Sequence, residues 1–391
     1  MSAPPSRQDT PVLISSTDPE WTFLCAAVSG ENSDRLRMLA ARVRWRALLD
    51  LAERHGVQPL VYQALSRSEG TIPAPEMRIL AQLQQTNLHR AMLLARALIH
   101  LVDHLASKGI EVLPHKGLAL AEFLYGDMAL RQAGDIDLLV HAGELARIQE
   151  AVRELGYVPH ASLSAAQQLA SLKSGYECVF DSQAGRNLLE VQWAILPRFY
   201  AIDINQEDLF RRAVSLKVAG YLMKTLSAED LFLVLCVHAA KHVWGRLIWL
   251  CDLARIMVLP QFDWAGIAQQ ARKLGVVRIV QVSLLLTGRL LHVVIPAAAD
   301  LNFGSDPKAE SLANEIEGHI TAAAEFNVES LAYFRLMMRL RENGRDRMRF
   351  LSRLILTPGP GEWAALRLPD ALFPLYRLVR FWRLGGKAVG R

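Results

Sequence analysis

The sequence predicts an α+β protein in which a mixed β-sheet core is flanked by helical regions on both sides. Three observations carry that expectation. Apolar residues recur at three- and four-residue steps from 21 to about 107, as in "RWRALLDLAERHGVQPLVYQAL". Between 108 and 225 short strand-like runs alternate with helical ones. From 226 onward the helical period returns, interrupted at "TPGPGEW".

Taken in order, residues 1–20 are rich in Pro, Ser and Thr and read as a flexible lead-in. The N-terminal helical region, 21–107, breaks at Gly56 and Pro59, and its long segment "LHRAMLLARALIHLVDHLASKG" stops at Gly109. In the central region "IEVLP" is a short strand, "GLALAEFLYG" a helix closed by Gly126, "DIDLLV" a strand, and "AGELARIQEAVRELGY" a helix ending at Gly156. Strands are expected at "YECVF", "NLLEVQWAI" and around "VSLKVAG". The C-terminal helical domain, 226–391, opens on Ser227 and Asp230, a capping-box spacing with Asp in place of Glu. "TPGPGEW" reads as a loop, and the closing segment is basic and amphipathic.

Composition narrows the class. The 391 residues are 51% hydrophobic and 21% charged, which fits a globular chain and excludes a disordered one. No basic start precedes an apolar block, and no apolar run reaches the length of about 18 residues that a spanning helix needs. These features predict a soluble, cytoplasmic protein. Cys25, Cys178, Cys236 and Cys251 are scattered, without a CxxC pair, and read as buried free thiols. Residues 335–391 hold 13 Lys/Arg against 4 Asp/Glu, a surplus of nine, whereas the whole chain carries only +5. Such an end suits nucleic acid, an anionic membrane or an acidic partner, or is simply solvated.

The chemistry concentrates in "LPHKGLALAEFLYGDMALRQAGDIDLLV". Alternate residues of a strand share a face, so Asp135 and Asp137 point together while Ile136 turns into the core. Two like charges repel, and a divalent cation held by oxygen ligands on a strand relieves them. Two exposed acids at a strand end is the bland alternative. Lys116 and Gly117 stand between a strand end and a helix start, an arrangement that suits phosphate or an ordinary tight turn. Glu190, the sole acid of "NLLEVQWAI", adds a third carboxylate. Three such groups on adjacent strands suit two metals about 3.5–4 Å apart, one activating an attacking oxygen and one holding a triphosphate. Arg131 either grips phosphate or pairs with Asp127. Lys241 either reaches phosphate or is solvated.

His238 and His242 have the spacing of a zinc HExxH motif without its Glu, so a packed pair at the cleft edge is expected rather than a catalytic zinc site. Trp193, Trp244 and Trp249 read first as core and second as stacking surfaces for a nucleobase.

"HKG" followed by "LYGDMALRQAGDIDLLV" resembles the polymerase-β-type nucleotidyltransferase superfamily. More narrowly, "LAERHGVQPL", "LLEVQWAI", "HAAKHVWGRLIWLCDLARI" and "LRLPDALFPLYRLVRFWRL" are similar to a bacterial family of uncharacterised nucleotidyltransferases, over about residues 45–385. The resemblance implies a polymerase-β-like core. It implies Asp135, Asp137 and Glu190 as metal-binding and catalytic acids for Mg²⁺ or Mn²⁺, as two ions, and an NTP as substrate. Lys116 and Gly117 stand where the superfamily has a Gly-Ser phosphate-binding pair, so the Ser is missing. Gln192 replaces the His that relatives commonly carry.

The expected activity is transfer of a nucleoside monophosphate to an acceptor hydroxyl or phosphate with release of pyrophosphate. A small-molecule, peptide or protein acceptor is favoured over nucleic acid, because the core lacks an aromatic–basic ladder. Two alternatives stand beside it. One is a catalytically weak nucleotide-binding or regulatory module of the same fold. The other is a membrane-peripheral adaptor using the C-terminal helix, whose liposome binding would vanish on removal of 370–391.

Overall fold

The computed structural model describes residues 18–389 except 69, 71, 184–186, 322–325, 328–329 and 367. The lead-in expected over 1–20 therefore lies outside the described residues up to 17. Helix α1 (Pro19–Val28) already starts at Pro19, because the Asp18 carboxylate accepts the Glu20 N–H at 3.0 Å and Pro19 needs no amide partner there. Helices α2 (Ser33–Ala40), α3 (Trp45–Arg54) and α4 (Gln58–Ser66) follow, then α5 (Ala74–Ser107), 34 residues long.

The α/β part runs β1 (Val112–Pro114), α6 (Gly117–Tyr125), β2 (Asp135–Val140), α7 (Leu145–Glu154), β3 (Tyr157–Pro159), α8 (Ala165–Ser174), β4 (Glu177–Ser182) and β5 (Leu188–Gln192). Helix α9 (Gln206–Arg211) and the hairpin β6 (Val214–Val218) and β7 (Tyr221–Thr225) close it. The five-stranded sheet has the order β1-β2-β5-β4-β3. Only β2 and β5 are parallel; the other neighbours are antiparallel. This is the mixed sheet expected from the alternating periods. Strands β3 and β7 and helix α8 were not anticipated. Leu222 is one reason for β7: it is exposed and spoils the apolar–polar alternation of "YLMKT".

Helices α10 (Ala228–Lys241), α11 (Leu247–Met257), α12 (Trp264–Leu274), α13 (Val277–Leu291), α14 (Ala297–Phe303), α15 (Pro307–Thr321), α16 (Leu331–Arg339), α17 (Gly344–Leu356), α18 (Pro360–Ala365) and α19 (Tyr376–Val389) complete the chain. At α10 the Ser227 hydroxyl accepts the Asp230 N–H at 3.2 Å, which is half of the expected capping box. The Asp230 carboxylate takes Arg212 at 2.6 and 2.8 Å, bracing α10 against the end of α9. The loop expected over 357–363 is partly helical: Pro360 opens α18, and the Glu362 carboxylate accepts the Gly359 N–H at 2.8 Å.

Two apolar cores position the site. Ile136, Leu138 and Val140 of β2 and Leu189 and Val191 of β5 pack with α5 and α7 on one face of the sheet. The N-terminal helices share the second core with α10 to α17, from Trp21 to Leu354. By strand alternation the opposite sheet face receives Asp135, Asp137, Glu190 and Gln192. Among the described residues no helix is long and apolar enough to cross a membrane. All four cysteines are free; Cys25, Cys236 and Cys251 are buried and Cys178 is half-buried.

Candidate active site

The three acids of the sequence come together through the one parallel pairing of the sheet. Asp137 lies directly opposite Glu190 in the β2–β5 register, and Asp135 follows two residues away on the same face. One oxygen from each of the three carboxylates lies within 4.8 Å of the others, a spacing that suits a shared metal ion. Asp137 is buried and the other two are half-buried.

Lys116 sits at the cap of α6 and donates Nζ–H to Asp137 Oδ1 at 3.0 Å. Gly117 has φ +52°, and a Cβ there would come to 3.1 Å from the Asp135 carbonyl oxygen. Glycine is therefore required on two counts, the left-handed backbone and the close approach of the turn to β2. The lysine–glycine turn and the acidic pair are thus in contact, which the sequence left open.

Gln192 is fully buried, and its amide nitrogen reaches Asp137 Oδ1 at 3.0 Å, Glu190 Oε2 at 2.9 Å and Glu177 Oε2 at 3.2 Å. Only the NH₂ end can donate to carboxylates, so chemistry fixes the amide orientation. Two N–H groups are shared among three acceptors. Glu177, at the start of β4, lies opposite Gln192 and is a fourth acid that sequence reasoning passed over inside "YECVF".

Lys241, the last residue of α10, donates to the Tyr176 hydroxyl at 2.8 Å and stands over that ring, 4.6 Å from its centre. Burial lowers its pKa, against the pull of Glu177 and Glu190. With all four carboxylates ionised, the ammonium groups of Lys116 and Lys241 leave two formal negative charges, which a divalent cation would balance.

These charges move one another. Burial, then Asp137 and Glu177, push the Glu190 carboxyl up to about 8. Burial and Asp137 also raise Asp135. Burial would raise Asp137 too, but Lys116 and His115 outweigh it and hold Asp137 below its ordinary value. Proton retention in the cluster therefore falls on Glu190.

Arg131 does not pair with Asp127. Its Nε donates to Asp252 at 3.0 and 3.2 Å, and Tyr125 Oη donates to the same carboxylate at 2.8 Å. Asp127 instead accepts the Ala129 N–H in its own turn. The Arg131–Asp252 pair ties the loop before β2 to α11, and Arg131 still adds positive field at Asp135 and Asp137.

His238 and His242 pack as rings 4.9 Å apart, each within 5.4 Å of the Trp249 ring centre. Burial keeps both imidazoles below their ordinary pKa, so they stand neutral beside Lys116 and Lys241. Trp193 and Trp244 are core residues; the Trp244 indole donates to Ser283 Oγ at 3.0 Å. Trp249 alone of the three is half-exposed.

A mixed sheet carrying a cluster of acids on neighbouring strands, against a glycine turn with a lysine, fits a nucleotidyltransferase-type centre. The chain belongs to the uncharacterised nucleotidyltransferase family, whose model matches residues 41–292, and the protein is accordingly a nucleotidyltransferase. No curated protein and no solved structure matches it.

Proposed function

We propose that the protein is a metal-dependent enzyme that transfers a nucleoside monophosphate from an NTP to an acceptor hydroxyl or phosphate, releasing pyrophosphate. The observation that carries this reading is the convergence of Asp135, Asp137 and Glu190 within 4.8 Å, in contact with the Lys116–Gly117 turn. The donor set fits Mg²⁺ or Mn²⁺: hard oxygen ligands, partly buried, with a net negative charge that reaches two once Glu190 is ionised. Asp135 and Asp137 would hold two ions, and Glu190 would complete one of the sites. Bound there, the ions supply Lewis-acid charge to the attacking oxygen and to the triphosphate.

The protein's own groups account for the rest. The Gly117 amide at the start of α6 and the Lys116 ammonium offer fixed positive charge to the phosphates. Lys241 extends that field across the site, with Arg131 as a more distant contributor. Glu190, in its ionised form, accepts the proton of the acceptor hydroxyl. Gln192 holds Asp137, Glu190 and Glu177 at a fixed separation, a positioning role. The missing Ser after Gly117 and the Gln at 192 support the second reading, a nucleotide-binding module with little catalysis. A screen of four NTPs for pyrophosphate release in Mg²⁺ and a metabolite extract separates the two. Release above the no-acceptor control supports the enzyme, whereas tight binding without release supports the module. At the C-terminal end Leu378, Phe381 and Trp382 are exposed on α19, which favours a surface contact with a membrane or partner. Liposome sedimentation with and without residues 370–391 reads it directly.

A pH dependence follows from Glu190. Its folded value of about 8 lies above its ordinary 4.5, so between those limits the folded chain keeps a proton that the unfolded chain has lost. The sign is destabilising: stability from this group is full below 4.5 and is lost as pH rises toward about 8. Mg²⁺ binding at pH 7 is expected to expel that proton, so affinity should climb with pH and level off above about 8. Titration calorimetry in buffers of different ionisation enthalpy measures the released proton. Glu190→Gln should abolish the release; an unchanged proton count would place the proton elsewhere.

A further inference from the structure

Two neighbouring cavities lie on the Glu177 side of the acidic cluster, the inner one against it and the outer one beyond. The inner one, about 360 Å³, begins at Tyr176 and Glu177 of the site and continues along Phe199, Tyr200, Phe334 and Trp363. Its two arginines, Arg380 and Arg383, are both engaged by Glu362, at 3.0 and 2.5 Å. The outer cavity, about 670 Å³, shares the walls Ser174, Thr357 and Pro358 with the inner one. Lys173, Arg198, Arg353 and Arg377 line it, with no carboxylate among the described residues of its wall. Arg353 is paired with Asp203, while Lys173 and Arg377 are exposed at the rim.

Position along the sheet gives the cavities a direction. The Lys116–Gly117 turn follows β1 at one edge; then come Asp135 and Asp137 on β2, Glu190 on β5 and Glu177 on β4. The cavities open on the β4 side, opposite the phosphate-binding turn. An NTP held at the turn leaves that side for the second substrate. One outer wall comes from α8 and Arg198; the facing wall comes from α17, Thr357, Pro358 and the segment leading into α19, beyond the residues 41–292 that match the family.

We infer that the joined cavities are the acceptor channel, and that the acceptor is a small amphiphile with a hydroxyl at one end, an apolar or aromatic middle and an anionic far end. This rests on the transferase reading above. The inner volume is that of a small-molecule site, and its aromatic walls and internally paired charges suit an uncharged body. The basic outer cavity suits a carboxylate or phosphate tail. The acceptor oxygen attacks the α-phosphorus, forming a new P–O bond. The bond from that phosphorus to the bridging oxygen breaks, pyrophosphate leaves with the electron pair, and the hydroxyl proton passes to the Glu190 carboxylate.

The test uses the full chain, Mg²⁺, NTPs labelled at the α-phosphate, and three probe sets. These are ω-hydroxyalkanoates and hydroxyphenylalkanoates of graded length, their methyl esters, and a mixed-sequence oligoribonucleotide. Mg²⁺–NTP binding is measured in parallel by calorimetry. The expected result is that at least one acid is labelled about tenfold or more faster than its ester, a preference of about 1.4 kcal/mol. The pair Lys173→Glu with Arg377→Glu, both on the surface, should erase that preference while NTP affinity stays unchanged. Ser174→Trp, which plugs the junction, should slow labelling of acid and ester alike. Equal labelling of acid and ester, a preference that survives the charge reversal, or labelling of the oligoribonucleotide instead would overturn the channel. NTP binding with no probe labelled would overturn the channel alone; absence of Mg²⁺-dependent NTP binding would remove the transferase reading beneath it.

Discussion

Asp137→Ala is expected to abolish Mg²⁺-dependent NTP turnover, lowering it by at least about 10³-fold, or about 4 kcal/mol of transition-state stabilisation. No other carboxylate of the site is as central. Asp137 faces Glu190 across the parallel pairing and accepts from both Lys116 and Gln192. Its loss removes an oxygen donor, a counter-charge for the lysine and one anchor of the glutamine. The fold should survive, because the truncation relieves repulsion among four acids, while Lys116 keeps Glu190 and Glu177 within its field. The thermal midpoint should therefore move little, and circular dichroism should match the parent chain. Turnover equal to the parent would sink the assignment of this cluster as the catalytic centre. Loss of turnover together with loss of the fold would be read from Asp137→Asn, which keeps the shape and a hydrogen-bonding group.

How far the sequence reaches is clearest from this same cluster. "DIDLLV" is legible because its period of two is strict and both acids fall on one face. The turn at Lys116–Gly117 is legible because a Gly stands at a junction of periods. The three carboxylates were therefore in view, but their meeting was not, since it depends on β2 pairing parallel with β5 across 47 intervening residues. Glu177 shows the same limit. It sits in a strand that was recognised, yet only the antiparallel register opposite Gln192 brings it to the site. Lys241 reads in the sequence as reaching phosphate or as solvated, whereas its partner Tyr176 comes from a different part of the chain. The helix within 357–363 was hidden by two prolines and two glycines, residues that usually mark loops. In each case local chemistry was readable, and the side-chain partners supplied by tertiary pairing were not.

Arg131 is where that limit has the largest consequence for stability. In the sequence, four residues before Asp135, it reads equally as a phosphate ligand or as a partner of Asp127; in the fold it is the cation of a buried pair with Asp252. Asp252 is fully buried, and its carboxylate depends on Arg131 Nε and the Tyr125 hydroxyl for compensation. Burial raises the Asp252 pKa even with Arg131 present; Arg131 is its main support, ahead of the Tyr125 hydroxyl and the field of Arg255. Arg131→Met leaves that carboxylate with one neutral donor, and breaking a buried pair from one side costs about 3–5 kcal/mol. Chemical denaturation should register this as a lower midpoint with little change in slope. Asp252→Leu in the same chain should recover most of the loss, because two apolar groups then fill the space and no charge is stranded. Kinetics separate the two roles of the arginine. If it mainly braces the loop before β2 against α11, the double variant regains NTP affinity along with stability. If it grips phosphate, the double variant is stable but its KM for NTP stays raised about tenfold or more, the scale of one lost charge-assisted contact. The first outcome is the expected one, since Nε is committed to the buried Asp252 and Arg131 bears on Asp135 through its field.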